Sequence, residues 1–255
     1  MHTEVSIDFA VLYSFLIVLA RVSGFLVLVP LPGLSAGPTM SRIVLALTLT
    51  LSLMPLWPTV RSSSGTGDLV IWAASEFALG LVTGIGVALL LEAFQAAAQA
   101  IGLQAGFSYA STIDPSTQAD TAVLQTVLQL FAGVLFFTMG FDLQLFRLLT
   151  IGLKEVPSAG ALMKAFNPEA VMRFGTNMFD TALRLALPMM GFLLLLDLAF
   201  ALLSKVHAQM QLLSFSFSAK MLAALALFAA TLALFPSILS SAATRTMEIL
   251  LRLLT

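Results

Sequence analysis

The sequence predicts an all-α, polytopic membrane protein with about six hydrophobic helices. Of the 255 residues, 59% are hydrophobic and only 10% are charged, and the mean hydropathy is +1.01. A soluble domain carries about 25% charged residues to cover its surface, so lipid or partner subunits must cover most of this chain. The net charge of -1 argues against binding to nucleic acid. Because the chain has no cysteine, disulfides and thiolate metal sites are excluded.

Apolar runs predict the helices in chain order, and turn residues predict where they end. The runs are Phe9–Val29, Ile43–Met54, Leu69–Leu91, Val123–Phe141, Thr181–Leu203 and Met221–Phe235. Prolines that stop a helix follow the first, second and sixth runs, at Pro30, Pro55 and Pro236. The second run has about 12 strictly apolar residues and is short for a membrane span. The polar region Asp142–Asp180 predicts a water-exposed excursion.

Lysines and arginines outside the six runs predict the orientation. One set of alternate loops holds seven of them, namely Arg61, Arg147, Lys154, Lys164, Arg173, Arg245 and Arg252. The other set holds three, namely Arg42, Lys205 and Lys220. This difference predicts that both termini lie in the cytoplasm, provided that all six runs cross the membrane.

The third run continues well beyond one membrane span. Between Leu69 and Gly106 the chain carries two charges, Glu76 and Glu92, and has no proline. As a single helix this stretch would be about 57 Å long at roughly 1.5 Å per residue, against a hydrocarbon core of about 30 Å. Either the stretch bends into a hairpin, or it leaves the bilayer and enters a protein assembly that covers its apolar surface.

Five charged residues inside or beside apolar runs predict either an ion pathway or buried charge pairs: Arg21, Glu76, Glu92, Arg184 and Asp197. In the pairing interpretation, which we favour, Arg21 and Arg184 pair with carboxylates such as Glu76 and Asp197 and lock neighbouring helices or subunits together. Arg184 and Asp197 are 13 positions apart on one helix and therefore face different ways. Their partners must come from elsewhere.

Polar side chains at helical spacing predict two further polar helix faces. The first face consists of Glu92, Gln95 and Gln99. The second, on the next helix, consists of Gln118, Thr121, Gln125 and Gln129. The two faces either line an aqueous conduit or form hydrogen bonds between helices. Between them, the bulky residues Phe107, Tyr109 and Ile113 predict an obstruction that blocks ions and water by dewetting, or a loop packed against neighbouring helices.

Four stretches together resemble the family of the flagellar biosynthetic protein FliR and its counterparts in type III secretion injectisomes. They are ARVSGFLVLVPLPG from Ala20, GLQAGFSYASTIDP from Gly102, ALPMMGFLLLLDLAFALLSKVHAQMQ from Ala186, and FSFSAKMLAALAL. The resemblance extends over nearly the whole chain. It implies one integral membrane export-gate domain over residues 1–255, with a FliP-like part joined to a FliQ-like part.

The resemblance also implies a function, partners and a location. The chain would be a structural subunit of the flagellar type III export gate in the bacterial inner membrane, at the flagellar basal body. It would form with FliP-like and FliQ-like subunits a channel for exported unfolded polypeptides, beside FlhB-like and FlhA-like proteins, without a cofactor. Much of such an assembly lies above the bilayer plane, which would explain the overlong helix. A loop would plug the closed channel: Gly106, Phe107, Ser108, Tyr109, Ala110, Ser111, Thr112, Ile113, Asp114 and Pro115.

Catalysis is not predicted, because no Ser-His-Asp set, carboxylate pair, metal spacing or phosphate loop can be assembled around the two histidines, His2 and His207. The alternatives to a flagellar gate subunit are the equivalent subunit of a virulence injectisome and an ion-coupled secondary transporter. A transporter would explain the charges in apolar surroundings. Such folds usually contain repeated halves, and the sequence shows no convincing repeat between its two halves.

Overall fold

The computed structural model describes residues 9–29, 39–58, 66–107, 122–155, 167–206 and 212–254. Helices account for nearly all of them: α1 (Phe9–Leu28), α2 (Thr39–Ser52), α3 (Thr66–Ala105), α4 (Ala122–Thr138), α5 (Phe141–Glu155), α6 (Pro168–Val206), α7 (Leu212–Thr231) and α8 (Phe235–Leu254). Single 3₁₀ turns follow α2 and α7, at Met54–Leu56 and Leu232–Leu234. These ranges contain no β-strand, which confirms the all-α prediction.

Several helices are long and apolar enough to cross a membrane. Four stretches in the described residues meet this requirement, namely Ala10–Leu28, Leu69–Ala105, Pro168–Lys205 and Ser216–Leu254. A fifth candidate is the pair of α4 and α5, which is broken at Gly140, a residue with a φ of 71°. The chain is therefore a polytopic helical membrane protein, as predicted, with about five candidate spans.

α3 is one continuous helix of 40 residues, so the hairpin alternative is wrong. Its length is about 60 Å at roughly 1.5 Å per residue. α6 is nearly as long, with 39 residues, and it continues through Pro188 without a break. Both helices are thus about twice as long as the hydrocarbon core of a bilayer, which is about 30 Å thick.

The predicted water-exposed excursion is wrong for much of its length, because α5 and the first part of α6 lie inside it. α5 buries one stripe of leucines at helical spacing: Leu145, Leu148, Leu149 and Leu153. The charges of α5 lower its mean hydropathy and hide this stripe from a search for apolar runs. An amphipathic helix therefore replaces the expected loop.

The sequence predicted that Pro236 ends a helix, and this prediction is wrong. Pro236 lies in the first turn of α8. Proline is favoured at this position, because the N–H that it lacks would have no partner inside the helix.

The predicted membrane orientation also loses its basis, because it was derived from lysines and arginines assigned to loops. Several of the counted charges lie within helices rather than in loops, for example Arg147 in α5, Lys220 in α7 and Arg245 in α8.

The chain divides into two compact units. Unit 1 consists of Met1–Leu89, Gly140–Thr176 and Thr244–Thr255, and unit 2 of Leu90–Met139 and Asn177–Ala243. Both units are discontinuous in sequence, because α3, α6 and α8 each contribute residues to both. The single export-gate domain over residues 1–255 stays a prediction.

In unit 1, α1 packs closely against the first half of α3 through glycines. A Cβ atom on Gly24 would collide with the carbonyl oxygen of Phe77, and one on Gly80 would collide with that of Arg21. A Cβ atom on Gly84 would lie 2.8 Å from the carbonyl oxygen of Phe25. The two backbones can approach this closely only because these three positions lack side chains.

In unit 2, an aromatic cluster packs around Phe235, the first residue of α8. The ring of Phe235 lies 6.2 Å from that of Phe94, 5.9 Å from that of Phe131 and 5.8 Å from that of Phe228, measured between centroids. These rings come from α3, α4 and α7. They meet at tilted or edge-to-face angles, which aromatic pairs prefer.

Candidate functional site

Arg21 and Glu76 form an ion pair in the interior of unit 1. The Nε atom of Arg21 on α1 donates a hydrogen bond to the Oε2 atom of Glu76 on α3. The two residues are 2% and 1% exposed. The close approach of the helices at Gly24 and Gly80 brings the side chains together. Each charge offsets the desolvation of the other, so the removal of either leaves an uncompensated buried charge.

Arg184 does not belong to a buried pair, and this part of the prediction is wrong. The side chain of Arg184 is 57% exposed, and its Nε atom donates to the Oδ2 atom of Asp180 at 2.9 Å. Asp180 lies one turn earlier on the same helix, α6. The sequence analysis expected a partner on another helix and did not consider Asp180. Residues four positions apart on a helix are neighbours on its surface, so Asp180 and Arg184 can pair.

Asp197 connects three helices in unit 2. Its Oδ1 atom lies 2.7 Å from the Nζ atom of Lys220 on α7, and its Oδ2 atom accepts a hydrogen bond of 2.9 Å from the Nε2 atom of Gln104 on α3. Lys220 is buried, with 8% of the residue exposed, whereas 43% of the Asp197 side chain is exposed. We call these three residues the Asp197 cluster.

Gln104 and Lys220 are the members of the Asp197 cluster that sequence reasoning missed. Lys220 was counted as a loop charge, although it is the one charged residue in the sequence of α7, LLSFSFSAKMLAALALFAAT. A lone lysine in an apolar helix requires a carboxylate partner. That requirement was the available signal, and Asp197 on the preceding apolar helix satisfies it.

The Asp197 cluster lies next to the point where α3 ends. The N–H of Gly106 donates to the carbonyl oxygen of Leu103 at 3.2 Å, and the N–H of Phe107 donates to that of Gly102 at 3.1 Å. With a φ of 87° at Gly106, this pair of bonds is a Schellman motif. A Cβ atom on Gly106 would lie 3.0 Å from the ring of Phe217 on α7. The end of α3 is therefore both capped and packed.

The predicted plug loop begins at this cap. Gly106 and Phe107 are both half-buried, and they are the part of the loop that the structure describes. The rest of the predicted plug, Ser108, Tyr109, Ala110, Ser111, Thr112, Ile113, Asp114 and Pro115, lies outside the described residues. The plug role stays a prediction.

The two predicted polar faces are described in part. On α3, Glu92 and Gln99 are exposed and Gln95 is half-buried, and on α4 Gln129 is half-buried. Gln118, Thr121 and the side chain of Gln125 lie outside the described residues. Glu92 and Gln99 are thus available to a partner or to water. The meeting of the two faces stays a prediction.

The described ion pairs join one helix to another or link neighbouring turns of one helix. Arg21 with Glu76, Lys220 with Asp197, and Arg184 with Asp180 each join opposite charges within one unit. Across the ranges that the structure describes, no group of three or more His, Cys, Asp or Glu side chains is placed to hold a metal ion. The described charges therefore support a structural arrangement of helices.

Comparison with known proteins identifies the family. Residues 12–246 match the family described as "Bacterial export proteins, family 1". The flagellar biosynthetic protein FliR of Escherichia coli strain K12 is 27% identical over 217 residues, which cover 85% of this chain and 83% of the relative. FliR of Bacillus subtilis strain 168 is 27% identical over 204 residues, with 77% of both chains covered. The surface presentation of antigens protein SpaR of Shigella sonnei is 28% identical over 150 residues, or 59% of this chain and 58% of the relative. The chain belongs to family 1 of the bacterial export proteins.

Proposed function

We propose that the chain is a structural, non-catalytic subunit of the type III protein export gate of the bacterial flagellum. It forms, with FliP-like and FliQ-like subunits, the channel through which unfolded flagellar proteins leave the cell. FlhB-like and FlhA-like export proteins are its neighbours, and the bacterial inner membrane at the flagellar basal body is its location. The family match over residues 12–246 and the flagellar names of relatives that cover most of the chain support this proposal.

The length of the apolar helices is the structural observation that carries the proposal. α3 has 40 residues and α6 has 39, and a tilted helix of about 60 Å still exceeds a hydrocarbon core of about 30 Å. Large hydrophobic side chains are exposed near both ends of α3, at Val70, Ile71 and Leu103. On α6 they extend from Val171 to Leu203. Lipid cannot cover such surfaces over their whole length, whereas the helices of partner subunits can.

Within the gate, the segment Gly106–Pro115 blocks the closed channel, and the polar face Glu92, Gln95 and Gln99 meets either the conduit or a partner helix. The supporting observation is the Schellman cap at Gly106, which ends α3 at a defined residue and starts the segment there. The bulk of Phe107, Tyr109 and Ile113 would exclude water from a narrow passage. Opening would then require that this segment moves.

Export itself tests the proposed function. A strain that lacks the gene should secrete no flagellar filament or hook proteins, and a plasmid copy should restore their secretion. A matched plasmid with Arg173→Gln, which changes an exposed side chain paired with Glu169, serves as the control and should restore secretion fully. Normal secretion in the deletion strain would contradict the proposal.

A second experiment separates the gate from the ion-coupled transporter. Proteoliposomes that contain the purified chain alone should show no proton-coupled uptake of a solute, because a gate subunit needs its partners to form a passage. Uptake that depends on a proton gradient and on this chain alone would favour the transporter.

The plug is tested by membrane conductance. Replacement of Phe107, Tyr109 and Ile113 by serine keeps the length of the segment and removes its bulk. The complex should still assemble, and the membrane should leak ions, because dewetting requires apolar side chains at the constriction. Unchanged conductance in cells that carry the assembled variant would exclude the plug role.

A further inference from the structure

The guanidinium group of Arg21 has hydrogen-bonding capacity that Glu76 does not use. Its Nε atom donates to Glu76, but Nη1 and Nη2 are both buried and find no hydrogen-bond partner among the described residues. Arg21 is 2% exposed, so bulk solvent does not reach these two atoms. Buried donors without an acceptor are costly, and native structures pair nearly all of them with protein or with ordered water.

Arg21 lines a small cavity in unit 1. The volume open to the centre of a water-sized sphere is about 10 Å³. Arg21 and Thr83 are the polar side chains among the lining residues, and leucines such as Leu79, Leu148 and Leu250 line most of the rest. The Oγ1 atom of Thr83 donates to the carbonyl oxygen of Gly80 at 2.7 Å, so its lone pairs remain able to accept a hydrogen bond.

Gly152 keeps this space open. A Cβ atom on Gly152 would lie 3.1 Å from Nη1 of Arg21 and 3.0 Å from Cδ2 of Leu254. Any larger residue at this position of α5 would press on the guanidinium group and reduce the cavity. A glycine that borders an arginine with two unpaired nitrogens indicates a site with an occupant.

Size and charge identify the occupant as water. A cavity needs roughly 10 to 15 Å³, measured in this way, to hold one water molecule, and a lipid phosphate or a carboxylate is larger. Glu76 already neutralises Arg21. An anion would add an unbalanced negative charge to a low-dielectric interior. A neutral molecule that both accepts and donates hydrogen bonds meets the requirements of Arg21 and of Thr83.

We propose that one buried water molecule is a permanent part of unit 1, where it bridges the Nη atoms of Arg21 and the Oγ1 atom of Thr83. The water accepts hydrogen bonds from the guanidinium group and donates one to the hydroxyl group, which gives it two or three bonds, the usual number for an internal water. It completes the ion pair of Arg21 and Glu76 and makes a charge in an apolar core tolerable. Gly152 and Thr83 are the positioning residues of this site.

A cryo-EM map of the full chain in its native complex tests the proposal. At a local resolution at which other ordered waters are visible, an isolated peak should lie about 3 Å from Nη1 or Nη2 of Arg21 and from Oγ1 of Thr83. No peak at this position, with waters visible elsewhere in the core, would overturn the proposal. Density that is continuous with a polypeptide would overturn it as well, because a protein group would then be the partner.

Thermal unfolding of the same complex provides an independent readout. Thr83→Val keeps the shape of the side chain and removes the acceptor for the water. Thr50→Val is the matched control, because the hydroxyl group of Thr50 is also buried and also donates within its helix, to Ala46, but Thr50 does not line the cavity. Thr83→Val should lower the unfolding midpoint by about 2 to 4 °C more than Thr50→Val. Equal shifts would overturn the bridging role of Thr83.

Discussion

The Nζ atom of Lys220 lies 2.7 Å from the Oδ1 atom of Asp197, and this contact joins α7 to α6 inside unit 2. The same carboxylate accepts a hydrogen bond from Gln104, two residues before the glycine that ends α3. This aspartate therefore attaches the last turn of α3, just before the cap at Gly106, to α6 and α7. If that segment closes the export channel, as we propose, the Asp197 cluster holds the base of the closure.

Removal of the Asp197 carboxylate should destabilise the protein. Asp197→Ala leaves the buried ammonium group of Lys220 without a counter-charge, and we expect a loss of about 1 to 3 kcal/mol in the free energy of unfolding. Lys220→Met should lower the free energy of unfolding by a smaller amount, because the half-exposed carboxylate of Asp197 can then bind water. Denaturant unfolding of the purified complex measures both values. Glu169→Gln, in an exposed pair, is the control and should cost at most about 0.5 kcal/mol. A greater loss in Lys220→Met than in Asp197→Ala would contradict this explanation.

The ion pair of Arg21 and Glu76 should show strong coupling between its two members. Glu76→Gln or Arg21→Met alone leaves one buried charge uncompensated, at a cost of about 3 to 5 kcal/mol. The double variant Arg21→Met with Glu76→Gln removes both charges and should recover a large part of this loss. The yield and the unfolding midpoint of the complex report the effect. Additive losses in the double variant would show that the two charges act independently.

The glycines between α1 and α3 should not tolerate a methyl group. Gly80→Ala places a Cβ atom against the carbonyl oxygen of Arg21, so the helices must separate and the complex should lose stability. Gly102→Ala on the same helix is the matched control, because a Cβ atom there meets nothing within 4 Å. Gly102→Ala should raise the free energy of unfolding by up to about 1 kcal/mol through helix propensity. Equal unfolding midpoints for the two variants would contradict the requirement for glycine at position 80.

A substitution at Gly106 should disturb the start of the plug segment. Gly106 has a φ of 87°, and a Cβ atom there would lie 3.0 Å from the ring of Phe217. Gly106→Ala should therefore cost at least about 1 to 2 kcal/mol, and it should increase ion leakage through assembled gates. Gly140→Ala, at a φ of 71° with open space around it, isolates the cost of backbone strain. Conductance measurements on membranes that hold equal amounts of complex compare the two. Leakage with Gly140→Ala alone would contradict a special role for Gly106.

The sequence predicted the helices whose apolar character is continuous and missed those that are amphipathic. α3 was predicted because charge and proline are nearly absent from Leu69 to Gly106. α5 was missed because Asp142, Arg147 and Lys154 lower its hydropathy, although its leucine stripe has helical spacing. The sequence does not predict α8, because a proline after an apolar run indicates a helix end, whereas Pro236 is compatible with the first turn of a helix.

The sequence could predict the candidate site only for charges that lie in apolar helices, because a buried charge needs a partner of opposite charge. The sequence singled out Arg21 and Glu76 on that ground, and the structure brings them together. The partners of Asp197 could not be chosen in the same way, because helix spacing gives the face of a residue on its own helix and not the helix that packs there. The lone charge of Lys220 in an apolar helix signals that it needs a carboxylate, but only the tertiary structure shows that Asp197 is that carboxylate and that Gln104 joins it.

The native mass of the protein tests the central claim most directly. The tagged chain should be purified in mild detergent from its own host, with no partner overexpressed, and its complex should be weighed by native mass spectrometry. A structural gate subunit should appear only within a large hetero-oligomer that contains FliP-like and FliQ-like chains. A stable monomer or homodimer would contradict the proposal and favour the transporter.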